Sequence, residues 1–306
     1  MAKAVRFDHY GGRDVLYVAE VELPRALQGE VVVKVRAAGI NPGEAAIRQG
    51  FMESRFPATF PSGEGTDLAG EVYELGEGVE AFAVGDPVLG WSDRRSSHAE
   101  FVSVPADHLV AKPDALSWEV AGSLFVVATT AYAAVRAVAV GPSDTVGVSA
   151  AAGGVGSVAV QLAGLRGANV VGIASAANHD WLRSIGVTPV DYGEGLAERC
   201  REVAPQGFDA FIDTFGDEYV RLALDLGIAP SRINTIIAFQ LAQELGAKSD
   251  GSGTAANTGV LAEMAELVAS GEIIVPIAAT YPLAEVQAAF EDVERRHTRG
   301  KIVLIP

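Results

Sequence analysis

DTVGVSAAAGGVGSVAVQLAGLRGANVVGIAS, residues 144–175, decides the reading of this chain. Thr145 to Val148 is a short β-branched run of the kind that forms a buried strand. Ala150 to Gly156 is a run of small residues. Val155, Val158, Ala159, Leu162 and Leu165 then recur at helical spacing, Gly167 stops the helix, and Asn169 to Ile173 is a second apolar strand. Strand, tight turn, helix, strand is the opening βαβ unit of a dinucleotide-binding sheet.

The turn fits G-x-G-x-x-G with Ala151 at the first glycine, followed by Gly153 and Gly156. Gly153 would let the backbone approach a pyrophosphate, and Gly156 would let the helix pack close to the strand. Ala152, Gly153, Gly154, Val155 and Gly156 are therefore expected to cradle phosphates at the positive end of the helix. An ordinary tight turn in a small-residue core has the same letters; the strand before it and the helix after it favour a cofactor. The stretch is uncharged for long enough to suggest a membrane span. Its glycines and strand-type ends argue for a soluble core instead.

The chain has 306 residues, 49% hydrophobic and 20% charged, enough for two domains with sizeable cores. A net charge of −16 makes nucleic acid or an anionic membrane an unsuitable partner. The single cysteine, Cys200, excludes a disulfide framework and any multi-cysteine metal site. MAKAVRFDHYGGRD carries charges of both signs where a leader would be apolar, so a cytoplasmic protein is expected.

Along the chain, short strands at 3–7, 16–21 and 30–35 suggest an antiparallel, barrel-like start. A short helix follows AAGINPGEAAIRQG, and Gly- and Pro-rich strand segments run from 56 to 111. A helix is expected from Trp118 to Val140, started by the Ser117 cap. Helices and strands then alternate, with strands at 189–192, 208–213 and 231–237, as in a doubly wound domain. Helix 257–270 leads back to β-type segments, and the chain closes with a helix and an apolar strand. The expected fold is α/β: a β-rich domain of residues 1–119 and 264–306, with a nucleotide-binding domain of residues 120–263 inserted in it.

AAAGGVG, NPGEAAIRQG, GEGTDLAGEV at 63–72, TTAYAAV at 129–135 and HTRGKIVLIP together resemble the medium-chain dehydrogenase/reductase superfamily, in its zinc-independent quinone oxidoreductase (zeta-crystallin-like) branch. The resemblance runs from end to end. It implies a GroES-like catalytic domain, an inserted Rossmann domain, an active site in the cleft between them, and NADPH as hydride donor.

Zinc-dependent relatives place a cysteine where Gly39-Ile40-Asn41 stands and a His-Glu pair where Thr66-Asp67 stands. His9, His98, His108, His179 and His297 are scattered and read as surface or turn residues. The family's zinc sites cannot be built, so no metal is expected and the cofactor must carry the reactivity. The second strand ends in Ile173-Ala174-Ser175-Ala176-Ala177-Asn178-His179 without a carboxylate. A missing acid removes repulsion toward a 2′-phosphate, which Ser175 and Asn178 could bind. Tyr192 matches the tyrosine that the branch places beside that phosphate.

For the nicotinamide end, the resemblance points to Asn41 and Thr130 as the catalytic pair. Phe215, Gly216, Ile237, Ala238 and Phe239 fall at strand ends that would face the cofactor. Phe51 replaces a tyrosine that the branch often carries after Arg-x-Gly, implying an apolar substrate pocket without a phenol. The expected activity is NADPH-dependent reduction of a quinone or activated alkene (enone). An enoyl-thioester reductase and a non-catalytic NADPH-binding or sensor protein are the alternatives. A homodimer is expected, paired through Ile233 to Phe239 as an apolar edge strand.

Overall fold

The computed structural model describes residues 1–306. The chain divides into two units, Met1–Val126 with Asn257–Ser270 and Pro276–Pro306, and Val127–Ala256 with Gly271–Val275. In the first, β1 (Ala2–Phe7) and β2 (Tyr17–Val21) lead to the long β3 (Glu30–Gly39) and the short helix α1 (Pro42–Arg48). β4 (Ser62–Gly63), β5 (Asp67–Leu75), β6 (Pro87–Trp91), β7 (Phe101–Pro105) and β8 (Leu109–Ala111) follow. β3 is the pivot: it pairs antiparallel with both β5 and β7, so nearly all of its EVVVKVRAAG is buried. Val31, Val33, Val35, Leu68, Val72, Val88 and Val102 form the core beneath it.

Where one helix from 118 to 140 is expected, the chain makes two, α2 (Trp118–Ala121) and α3 (Leu124–Ala137). The hydrogen bonds explain the break. Gly122 O accepts from Gly39 N at 2.7 Å, and Val126 N, its helical partner, donates to Asp67 Oδ1 at 2.8 Å. Gly122 lies so close to β3 that a Cβ there would stand 2.3 Å from Ala37 O.

The second unit is a parallel sheet. β9 (Thr145–Val148), α4 (Gly154–Leu165), β10 (Asn169–Ile173), α5 (His179–Ser184) and β11 (Thr188–Val190) form its first half. α6 (Leu196–Val203), β12 (Ala210–Asp213), α7 (Asp217–Asp225), β13 (Ile233–Thr235) and α8 (Phe239–Leu245) form its second. The order β11-β10-β9-β12-β13 reverses direction at β9, the switch point where such sheets bind ligands. Phe211, Val220, Ile233 and Cys200 pack beside it; burial pushes the Cys200 thiol up to about 11.

The strand expected at 231–237 is three residues long. Thr235 Oγ1 accepts the N–H groups of Ile237 and Ala238, at 3.2 and 2.9 Å, and turns the chain into α8. The outer side of β13 is also bonded, because Thr235 N reaches Lys248 O and Lys248 N reaches Ile233 O. Ile233 to Phe239 is therefore not an open edge strand. α9 (Thr258–Ala269) returns to the first unit, so 257–263 falls there and not in the nucleotide domain. β14 (Ile277–Pro282), α10 (Val286–Glu294) and β15 (Lys301–Ile305) complete it. β15 pairs with the end of β3, and Val286 and Phe290 pack on Val5, Phe7 and Ile40. No helix is long and apolar enough to cross a membrane.

Candidate active site

The glycine turn sits between β9 and α4. The left-handed conformation falls on Ala150, at φ 43°, one residue before the position matched to the first glycine. Gly153 N closes the turn onto Ala150 O at 2.8 Å. A Cβ on Gly156 would stand 2.2 Å from the same oxygen, so only glycine lets α4 start this close to the turn. Ala152 is buried behind it, while Gly154, Val155 and Gly156 occupy the first turn of α4, whose N–H groups have no acceptor within the helix. A strained turn, a tight glycine contact and free helix-end donors fit a dinucleotide pyrophosphate.

The strand ends beside the turn are tied together by a carboxylate absent from the sequence reading. Asp213 is buried at the end of β12 and accepts from Ser149 Oγ (2.7 Å), Phe215 N (2.9 Å), Gly216 N (3.1 Å) and Thr235 Oγ1 (2.6 Å). Burial pushes its carboxyl above the usual range, against the pull of those donors. Asp213 thus shapes the loop of Phe215 and Gly216 directly. Through Thr235 it also shapes the loop of Ile237, Ala238 and Phe239, where Ile237 and Phe239 lie exposed.

At the end of β10, Asn178 Nδ2 donates to Ser175 Oγ at 3.1 Å, so the two expected phosphate ligands are neighbours. Tyr192 is 50% exposed on the loop after β11. Arg199 donates to the carbonyls of Asp191, Tyr192, Gly193 and Glu194 and holds that loop. The tip is not free of carboxylates, however. β10 and β11 run parallel with Ile173 opposite Val190, so Asp191 lands beside Ala174 and the start of α5. Its Oδ1 lies 3.5 Å from His179 Nε2, which is 3.3 Å from Ala174 O, and its side chain is 48% exposed.

In the β-rich unit, Asn41 follows β3 and opens α1. Lys301, at the start of β15, places its ammonium 2.6 Å from Asn41 Oδ1, 2.9 Å from Ile40 O and 3.3 Å from Asp67 Oδ2. Asn41 Nδ2 donates to Glu44 Oε1 and Asp67 Oδ2, both at 3.1 Å. Glu44 also accepts from the backbone N–H groups of Asn41 and Thr66, each at 2.9 Å. Burial raises the Asp67 carboxyl, while Lys301 pulls it down. Next to this cluster Arg48, fully buried, bonds Glu64 at 3.0 Å and Glu294 at 3.2 Å. Burial still pushes Glu64 up to about 8 against the pull of Arg48.

Three expectations change here. His98 is no surface residue: it is fully buried with Nε2 3.2 Å from Gly39 O, and burial lowers its pKa. Phe51 is 80% exposed on the turn after α1 and encloses nothing. A phenol does approach that motif, since the ring of Tyr10 lies where a Cβ on Gly50 would meet it at 3.2 Å. Thr130 is buried on α3 in the second unit, as its neighbour Thr129 donates to Ser252 Oγ at 3.1 Å. No three His, Cys, Asp or Glu side chains converge as metal ligands.

Residues 27–114 match the family model described as an alcohol dehydrogenase GroES-like domain, and residues 186–304 the one described as zinc-binding dehydrogenase. Quinone oxidoreductase 1 of Escherichia coli is 29% identical over the whole of both chains. The mitochondrial NAD(P)H oxidoreductase RTN4IP1 of Danio rerio is 30% identical, covering 97% of this chain and 89% of its own length. A solved Escherichia coli quinone oxidoreductase complexed with NADPH superposes with a TM-score of 0.88 at 28% identity, covering 99% of this chain and 100% of that one.

Proposed function

Because the chain belongs to the medium-chain dehydrogenase/reductase superfamily, in its zinc-independent quinone oxidoreductase branch, we propose that it reduces a quinone or a conjugated enone with NADPH. Nicotinamide-dependent oxidoreduction is common ground with its relatives; the acceptor and the phosphorylated cofactor are the proposal. The observation that carries it is the donor set. Where a zinc-dependent relative needs thiolate and imidazole, this chain offers the Asn41 amide, Thr66 and the Lys301-paired Asp67.

A bound reduced nicotinamide supplies the hydride. The chain's own part is to bind and orient. The first turn of α4 would take the pyrophosphate, Ser175 and Asn178 the 2′-phosphate, and Asn41 and Thr130 would orient the reacting groups. Overall, NADPH, a proton and a quinone become NADP⁺ and a hydroquinone. Flat, conjugated acceptors delocalise the developing anion and need the least help at oxygen. Loss of NADPH absorbance with a panel of quinones and enones tests the reading. Turnover of those acceptors with negligible alcohol oxidation is expected, and efficient ethanol oxidation would sink it.

Asp191 works against a 2′-phosphate, so the NADPH preference can be moved in both directions. Ser175→Asp should weaken NADPH binding about tenfold or more by like-charge contact. Asp191→Asn should strengthen it several-fold while leaving NADH nearly unchanged. Equal binding of both cofactors by the wild type would refute the assignment of Ser175, Asn178 and Tyr192. The exposed Ile237 and Phe239 support self-association as a homodimer, and a monomer mass in light scattering at micromolar concentration would refute that.

A further inference from the structure

We propose that the second unit carries a binding groove for an amphiphilic organic ammonium ion, at the end of its sheet opposite the glycine turn. β9, β10 and β11 run parallel, and the turn follows the end of β9. The groove lies where the other two strands begin, against Val170 at the start of β10 and Val187 just before β11. α4 runs from one place to the other. Gly154 stands at the turn, Gly164 and Leu165 at the groove, and roughly 16 Å of helix separates them. This site is thus distinct from the residues of the proposed reaction and independent of them.

The groove has a volume of about 450 Å³, the size of a small-molecule site. One wall is α4 and another is the segment Gly271–Val275, and Gln161 ties the two together. Its Nε2 donates to Ile274 O at 2.8 Å and to Ser157 O at 2.6 Å, and its Oε1 accepts from Ile274 N at 2.8 Å. Leu165 and Ile274, one on each wall, remain 46% and 48% exposed. Gly164 keeps the space open. A Cβ there would meet nothing within 4 Å outside its own helix, and its φ is not left-handed, so neither crowding nor backbone requires glycine. Glycine weakens a helix relative to alanine; what it leaves here is room. Charge then selects the ligand. No lysine, arginine or histidine lines the groove, and its one charged side chain is Glu272. The carbonyl end of α4 adds the negative pole of the helix dipole, which favours a cation. The net charge of −16 acts in the same direction. An alkyl or aryl ammonium would cover Leu165 and Ile274 with its tail and turn its head toward Glu272.

Isothermal titration of the full chain with octyltrimethylammonium tests this, against octanoate as a similar tail of opposite charge. Wild type should bind the cation tighter than octanoate by about tenfold or more. Gly164→Leu fills the groove while favouring the helix, and should weaken cation binding by about tenfold or more. Glu272→Gln should weaken it by about two- to fivefold. Circular dichroism should show both variants folded as wild type. Cation binding that survives Gly164→Leu would reflect only the charge of the whole protein and overturns the proposal. Equal binding of octanoate, or no binding of octyltrimethylammonium by wild type, overturns it as well. A particle mass that halves in Gly164→Leu would assign the groove to a second copy of the chain instead.

Discussion

Asp67 and Asp213 are both buried carboxylates at strand ends, both pushed upward by burial, and they are held in opposite ways. Asp67, in the β-rich unit, leans on one cation, Lys301, together with an amide and a single backbone N–H. Asp213, in the parallel-sheet unit, has no cation and is surrounded by two hydroxyls and two backbone N–H groups. A charge balanced by another charge depends on that one partner. A charge shared among four donors depends on no single one of them.

Losing the cation should therefore have the largest effect. Lys301→Met strands Asp67 and should cost about 3–5 kcal/mol of stability in urea unfolding; a loss below about 1 kcal/mol would break the contrast.

Glu64 is the intermediate case, ion-paired with Arg48 yet raised to about 8. Its native carboxyl keeps a proton that the unfolded chain gives up near 4.5, so the native state binds more protons between those values. Its stabilising contribution is complete below about 4.5 and is lost as the pH rises through about 8. Glu64→Gln should remove that decline, seen as a flatter curve of Tm against pH; parallel curves would mean that Arg48 keeps Glu64 ionised.

Asp213→Asn leaves most of its donors served and should cost less, about 1–3 kcal/mol, and Ser149→Ala less again. A cost equal to that of Lys301→Met would show that the four donors act as one. The smallest effect has the opposite sign. Ala150 holds φ 43° next to Ser149, so Ala150→Gly should gain up to about 1 kcal/mol, read as a small rise in Tm with cofactor binding retained.

The βαβ unit was legible in the sequence because its signals are local: an apolar run, a run of small residues, a helical period. The turn at Asn41 that opens a short helix was legible in NPGEAAIRQG. What surrounds it was not, because Lys301 lies 260 residues away and meets Asn41 only through the pairing of β15 with β3. Asp191 was hidden for a related reason. Its own stretch reads as a strand end, and only the parallel register of β10 and β11 brings it to the tip. The break between α2 and α3 had no local breaker beyond Gly122, since the groups that end the helix are claimed by Gly39 and Asp67. His98 looked like one more scattered histidine until β-strand packing enclosed it.

Quinones and enones alkylate thiolates, so the activity proposed above would expose the protein to its own substrates. The chain has a single thiol, Cys200, buried on the inner side of α6 and raised to about 11. At neutral pH almost none of it is thiolate, and none of it is open to solvent. The packing of Cys200 beside Phe211 and Val220 thus confers chemical durability: native protein should resist maleimide labelling and keep its activity through repeated cycles of a thiol-reactive acceptor.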